Sequence, residues 1–170
     1  NGVLTGANEF SFGTGGPAVL SVAPGSGARV EEDQHFLVQL NGPAVDATVA
    51  GQAWCEVEGI GERVALKIVT GKPRDELIAA RKREKDAERL LLLTCARPLP
   101  NDVKLRLVWG KGIAARANPK VLTSIEQHFD FRVQKAFTAE FTCEREKATA
   151  PCLPIRPLVV RFSEPVARAL

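Results

Sequence analysis

The residues of this 170-residue chain that could carry chemistry are two histidines, two closely spaced glutamates, an acidic triplet, a glycine-rich entry and four cysteines. A nucleophilic centre needs a Ser, Cys or Thr beside a base, normally a histidine held by an acid. His35 stands at the start of an apolar run and His128 directly before Phe129, where each reads as a structural residue of a β module. Glu56 and Glu58 lie two apart, as paired carboxylates would, but a solvated strand face is written the same way. Glu31-Glu32-Asp33 is an acidic turn without the Asp-x-Asp-x-Asp-Gly spacing of a calcium loop. Gly13, Gly15 and Gly16 lead into Pro17 and a strand rather than a helix, so they imply no phosphate cradle. No catalytic, cofactor or metal site is assigned, and the chain reads as a non-enzyme.

The cysteines carry a structural reading instead. No Cys-x-x-Cys is present and neither histidine neighbours a cysteine in sequence, which argues against a zinc site. Cys55 and Cys95 each sit in or beside an apolar strand-like run, whereas Cys143 and Cys152 bracket a charged loop containing Pro151. The economical pairing is Cys55–Cys95 with Cys143–Cys152; the alternative is four buried free thiols. Chain entropy assigns roughly 4 kcal/mol to the longer loop and roughly 2.5–3 kcal/mol to the shorter, before native strain is subtracted. Disulfides would place the protein outside the cytosol.

The elements that must hold these residues are mostly strands. Ala18 to Ala23 and His35 to Leu40 are apolar runs separated by Pro24-Gly25-Ser26-Gly27. Ala53 to Val57 and Arg63 to Val69 alternate at period two around Gly59-Ile60-Gly61, which predicts a hairpin. Residues 74–89 are rich in helix formers, with Pro73 suited to the helix start and Asp75 and Glu76 to its first turn. This predicts one inserted surface helix, with Leu77, Ile78 and Ala80 as a narrow apolar contact and Arg81-Lys82-Arg83 offset by nearby acids. Leu90 to Cys95 is a continuous apolar run, hence a strand buried on both faces. Val103 to Trp109 alternates, residues 111–124 read as loop with weak helical content, and Gln127 to Val133 is a closing strand. Trp54 and Trp109 are expected in the core against a Cys55–Cys95 bridge. About seven short strands match an immunoglobulin-like antiparallel β-sandwich.

One phrase occurs twice. Residues 36–43 read Phe-Leu-Val-Gln-Leu-Asn-Gly-Pro, and residues 158–165 read Leu-Val-Val-Arg-Phe-Ser-Glu-Pro. Each is an apolar run with one long polar residue, then an Asn/Ser-x-Pro corner, and such spacing suggests tandem modules. The expected organisation is a flexible leader over 1–15, a sandwich module over 16–134, and the truncated start of a second β module over 135–170, opening with strands near 137–143 and 157–162. Composition narrows the function classes. The net charge is +3, acids and bases are mixed, and there is no tyrosine, which speaks against nucleic acid as a partner. No stretch approaches the roughly twenty apolar residues of a membrane span.

Further phrases carry a resemblance: Phe10-Ser-Phe with Gly16-Pro-Ala-Val, Cys55-Glu-Val-Glu-Gly-Ile-Gly-Glu-Arg, Cys95-Ala-Arg-Pro-Leu-Pro, Leu107-Val-Trp-Gly-Lys-Gly-Ile-Ala, Phe137-Thr-Ala-Glu-Phe-Thr-Cys-Glu-Arg-Glu and Arg161-Phe-Ser-Glu-Pro-Val. Together, over residues 10–170, they resemble the N-terminal region of bacterial alpha-2-macroglobulin-family proteins, which begin with immunoglobulin-like modules. The resemblance implies an envelope protein, typically periplasmic, that traps foreign proteases cutting a bait segment. None of the four cysteines is followed by Gln three positions later, so the family's thioester motif is not written here and no functional residue transfers. The implied role is a non-catalytic scaffold module of an endopeptidase inhibitor. Its partners would be neighbouring modules, envelope proteins and, through the parent protein, foreign proteases. The alternative is an adhesion or glycan-binding module, which would expose Trp54 or Trp109.

Overall fold

The structure, a computed structural model, describes residues 15–166. Most of the expected leader, including Gly13, lies outside the described residues. Contacts divide the chain into two units, with the boundary after Gln134.

The first unit is mainly β. Its strands are β1 (Val19–Ala23), β2 (Arg29–Val30), β3 (His35–Leu40), β4 (Ala53–Val57), β5 (Val64–Val69), β6 (Leu90–Cys95), β7 (Lys104–Trp109) and β8 (Gln127–Val133). They form one sheet in the order β1-β3-β6-β5-β4-β7-β8-β2. The sheet curls because β5 changes partners along its length. Val64 and Ala65 pair with β4, and Leu66 to Val69 pair with β6. The strands on either side of that switch face each other as an immunoglobulin-like sandwich. Pairing is antiparallel except between the two-residue β2 and β8, which run parallel. The expected hairpin of β4 and β5 is therefore short, and β5 belongs chiefly to β6.

Alternation decides what fills the sandwich. Phe36, Val38 and Leu40 of β3, Leu91 and Leu93 of β6, Cys55 of β4, Leu105, Leu107 and Trp109 of β7, and Phe131 of β8 form the main core. The rings of Phe36 and Phe131 meet across it at 4.8 Å. Cys55 and Cys95 are disulfide-bonded, joining β4 to β6 over the intervening β5. Trp109 donates its indole N–H to the Pro17 carbonyl at 2.8 Å, and the buried Thr123 hydroxyl donates to the same oxygen at 2.6 Å.

The helical insertion after β5 is present in two pieces. Helix α2 spans Lys72–Ala80 and a 3-10 segment spans Glu84–Arg89. The break is a Schellman cap. Lys82 takes φ 53°, its N–H donates to the Ala79 carbonyl, and the Arg83 N–H reaches back to Ile78. Ile78 is buried with Leu37, Leu90 and Leu92, so the insertion covers the outer face of β3 and β6. Leu77 packs beside it, whereas Ala80 is exposed and makes no such contact. Arg74 ties the two pieces together by donating to the carbonyls of Ala87 and Leu90.

A short helix, α1 (Asp46–Gln52), was not expected and fills the link from β3 to β4. The Thr48 hydroxyl donates to the Val45 carbonyl and accepts the Ala114 N–H. Residues 111–124 contain no helix. Isolated bridges pair Ala114 with Leu122 and Ala115 with Ala44.

The second unit is an antiparallel ribbon of β9 (Ala139–Cys143) and β10 (Leu158–Phe162), closed by the Cys143–Cys152 disulfide. Both units build their Asn/Ser-x-Pro corner with the same two bonds. The Asn41 N–H donates to the Ala18 carbonyl and the Ala18 N–H donates to Asn41 Oδ1. The Ser163 N–H donates to the Thr138 carbonyl and the Thr138 N–H donates to Ser163 Oγ.

These contacts set the response of the fold to substitution. Replacing Cys55 and Cys95 by alanine opens a loop of 40 residues and is expected to cost about 4 kcal/mol in denaturant unfolding, within the spread of such bridges. The pair Cys143→Ala and Cys152→Ala is expected to leave the unfolding of the first unit unchanged. Trp109→Phe and Thr123→Val each leave the Pro17 carbonyl one donor. The double variant leaves it neither of these donors, and a double-mutant cycle is expected to show a loss about 1 kcal/mol beyond the sum of the singles.

Candidate functional site

The first unit carries an open groove of about 690 Å³ beside the β4-β5 turn, bounded by β7 and β8. Alternation along β4 turns Ala53, Cys55 and Val57 to the core and Trp54, Glu56 and Glu58 to the other face. Glu56, Glu58, Glu62, Arg63, Lys104 and Arg106 give the groove charges of both signs.

Each of the following charges has a local partner. Arg106 donates to Asp130 at 2.7 Å, and Arg97 lies 3.6 Å from Glu62. The hydrogen bond and charge of Asp130 raise the Arg106 pKa above its ordinary value, with Glu56 adding a smaller push. Glu58 accepts the Lys104 backbone N–H at 3.0 Å, and Glu56 accepts the Trp54 indole N–H at 3.1 Å. Glu56 and Glu58 are thus committed separately, one to a tryptophan and one to a strand end, and they do not act as a carboxylate pair. Arg63 lies over Trp54, its guanidinium carbon 3.8 Å from the ring centre, as cation–π attraction favours.

Trp54 was expected against the Cys55–Cys95 bridge and is found elsewhere. It is buried at 8% exposure, but on the opposite side of β4 from Cys55, beneath Arg63. Gly110 makes room for it, since a Cβ there would stand 2.7 Å from the Trp54 ring and 2.3 Å from the Gln52 carbonyl. Trp109 is fully buried in the core with Cys55 and Cys95, as expected. Neither tryptophan offers an open ring face, which removes the aromatic platform on which the glycan-binding alternative rested.

The remaining candidates do not converge. His35 is exposed, and its backbone carbonyl accepts from the Gln34 side chain at 2.6 Å. His128 is paired through Nε2 with Glu126 at 2.6 Å. Glu31 accepts from Gln134, which ties the acidic turn to the end of β8. No group of three or more His, Cys, Asp or Glu among the described residues could hold a metal ion. Gly16 is a packing glycine, because a Cβ there would fall 2.0 Å from the Thr123 nitrogen. No helix among the described residues is long and apolar enough to cross a membrane. The two disulfides suit an oxidising compartment outside the cytosol.

No family model matches the chain, and no curated protein matches it in sequence. Solved structures do. Domains 1-6 of the surface layer protein SbsC are 14% identical over 78% of this chain and 16% of that one, at a TM-score of 0.44. An LD transpeptidase, LdtMt1, solved with imipenem, is 14% identical over 71% of this chain and 41% of that one, at 0.42. PcoC, a copper resistance protein from Escherichia coli, is 13% identical over 69% of this chain and 99% of its own, at 0.42. The chain therefore spans less than half of each of the first two of these structures. At such identities and scores the likenesses carry no argument about activity.

The groove is expected to behave as a packed, charge-compensated surface. Gly110→Ala must displace the Gln52 carbonyl or the Trp54 ring and is expected to destabilise by about 1–3 kcal/mol in thermal or denaturant melts. Gly51→Ala, with nothing within 4 Å of its would-be Cβ and a place in α1, is expected to be neutral or to stabilise by up to about 1 kcal/mol.

Proposed function

We propose that this chain is a non-catalytic scaffold module from the N-terminal part of a bacterial alpha-2-macroglobulin-like protease inhibitor, resident in the periplasm or cell envelope. The observation that carries this reading is the repeated corner. A disulfide-stapled sandwich is followed by a ribbon built to the same Asn/Ser-x-Pro pattern, as expected of a string of β modules. The compensated charges of the groove fit a module whose work is mechanical. It spaces and docks neighbouring modules, and the trapping chemistry resides elsewhere in the parent protein. The phrase-level resemblance supplies the family; the disulfides supply the oxidising compartment.

Residues 1–170 alone are expected to leave the activity of a broad endopeptidase unchanged against both casein and a small peptide substrate. The parent protein is expected to suppress casein cleavage while sparing the small peptide, because a confined protease still admits small substrates. Inhibition by the isolated chain, or no effect of the parent on casein cleavage, would sink the proposal.

A further inference from the structure

The ribbon of the second unit has one wholly apolar face. In its register Ala139 lies opposite Phe162, Phe141 opposite Val160, and Cys143 opposite Leu158, and paired residues share a face. The other face carries Glu140 opposite Arg161 and Thr142 opposite Val159. Phe141, Leu158, Val160 and Phe162 are 46–59% exposed, and Phe137 stacks on Phe162 at 5.8 Å. Among the described residues β10 pairs only with β9, so its second edge is open. A two-stranded ribbon of this size is marginal in water.

The first unit shows what covers such a ribbon. Aligning the repeated phrase places Leu158, Val160 and Phe162 on Phe36, Val38 and Leu40 of β3, and Ser163 on Asn41. The pairing partners correspond as well: Val19 opposite Leu40 answers to Ala139 opposite Phe162, and the extra residue Leu20 forms the irregularity in β1. In the first unit Phe36, Val38 and Leu40 are fully buried, and the second edge of β3 is taken by β6. There Leu93 stands opposite Phe36 and Leu91 opposite Val38, extending the same inner face.

We propose that the open edge of β10 is a docking surface for an antiparallel β-strand with apolar residues at alternate positions, two of them set opposite Leu158 and Val160. The added strand widens the apolar face, on which the facing layer of a sandwich then closes. The polar face, with Glu140, Arg161 and Thr142, requires an incoming strand with polar residues at its other positions, unlike β6, whose Leu90 and Leu92 make its outer face apolar too. This inference stands on the duplicated corner and register and does not require the protease-inhibitor reading.

The test uses isotopically labelled residues 1–170 and a synthetic peptide of residues 88–96 carrying Leu90→Lys, Leu92→Thr and Cys95→Ser, which keeps Leu91 and Leu93 for the inner face. Its addition is expected to shift amide resonances of residues 139–143 and 158–162 and to slow hydrogen exchange along β10. A second peptide with Leu91 and Leu93 also changed to serine is expected to bind about tenfold more weakly or worse. Val160→Lys in the chain is expected to have a similar effect, and Val159→Lys, on the polar face, little. Intact Thr138 and Ser163 resonances check that each variant keeps the corner, and the peptide pair decides the matter should Val160→Lys lose it. Absence of shifts, an equal response to both peptides, or shifts confined to the first unit would overturn the proposal. So would sedimentation showing a dimer that Val160→Lys abolishes, since a second copy would then own the surface.

Discussion

The change of partner along β5 is the constraint on which the first unit depends. Two residues bond to β4 and the next four bond to β6, so a single sheet must fold back on itself within one strand. That geometry turns β3 and β6 toward β7 and β8 and lets Phe36 meet Phe131. It also leaves β4 and β6 separated by one strand, close enough for Cys55 and Cys95 to bridge at a Cα separation of 6.1 Å. The bridge straddles the switch itself, because Cys55 stands opposite Val64 and Cys95 opposite Leu66. A reduced chain would still have the inner-face pattern, but the unfolded ensemble would regain the freedom that the cross-link removes.

Much of this was legible because strand signals were strong and local. β3, β6 and β8 have the expected ends, and the continuous run of β6 correctly signalled burial on both faces. The reason for that double burial was not legible. Leu90 and Leu92 are apolar because Ile78 of the helical insertion lies over them, a contact 12 to 14 residues away that no period reveals. The insertion itself had the composition of one helix. It breaks because the chain must return to β6 once Ile78 is seated, and Lys82 rather than glycine or asparagine takes the left-handed position.

The elements missed share a cause: their stability is tertiary. Helix α1 is seven residues long, too short to form alone, and its Val45 N-cap makes no side-chain cap bond. It is held from outside, by Val49 in the core and by Thr48 receiving the Ala114 N–H. β2 is two residues paired in parallel to β8, below any pattern length. Trp54 was misplaced because its neighbour Cys55 drew it inward, although strict alternation puts adjacent residues on opposite faces. Arg63 and Gly110, distant in sequence, are what bury it.

The two units also explain each other's differences. In the first, the outer face of β3 carries Leu37 and therefore needs the helical insertion as a cover. In the second, the corresponding outer positions of the ribbon pair Val159 with Thr142 and Arg161 with Glu140, a face that water can wet. The inner face is apolar in both. The common requirement is therefore a second layer on the inside, and the helical insertion is a local answer to two leucines of β6 and one of β3. A chain assembled from such modules would keep the corner bonds and the inner alternation while varying what lies outside, because only the inner face must match a partner layer.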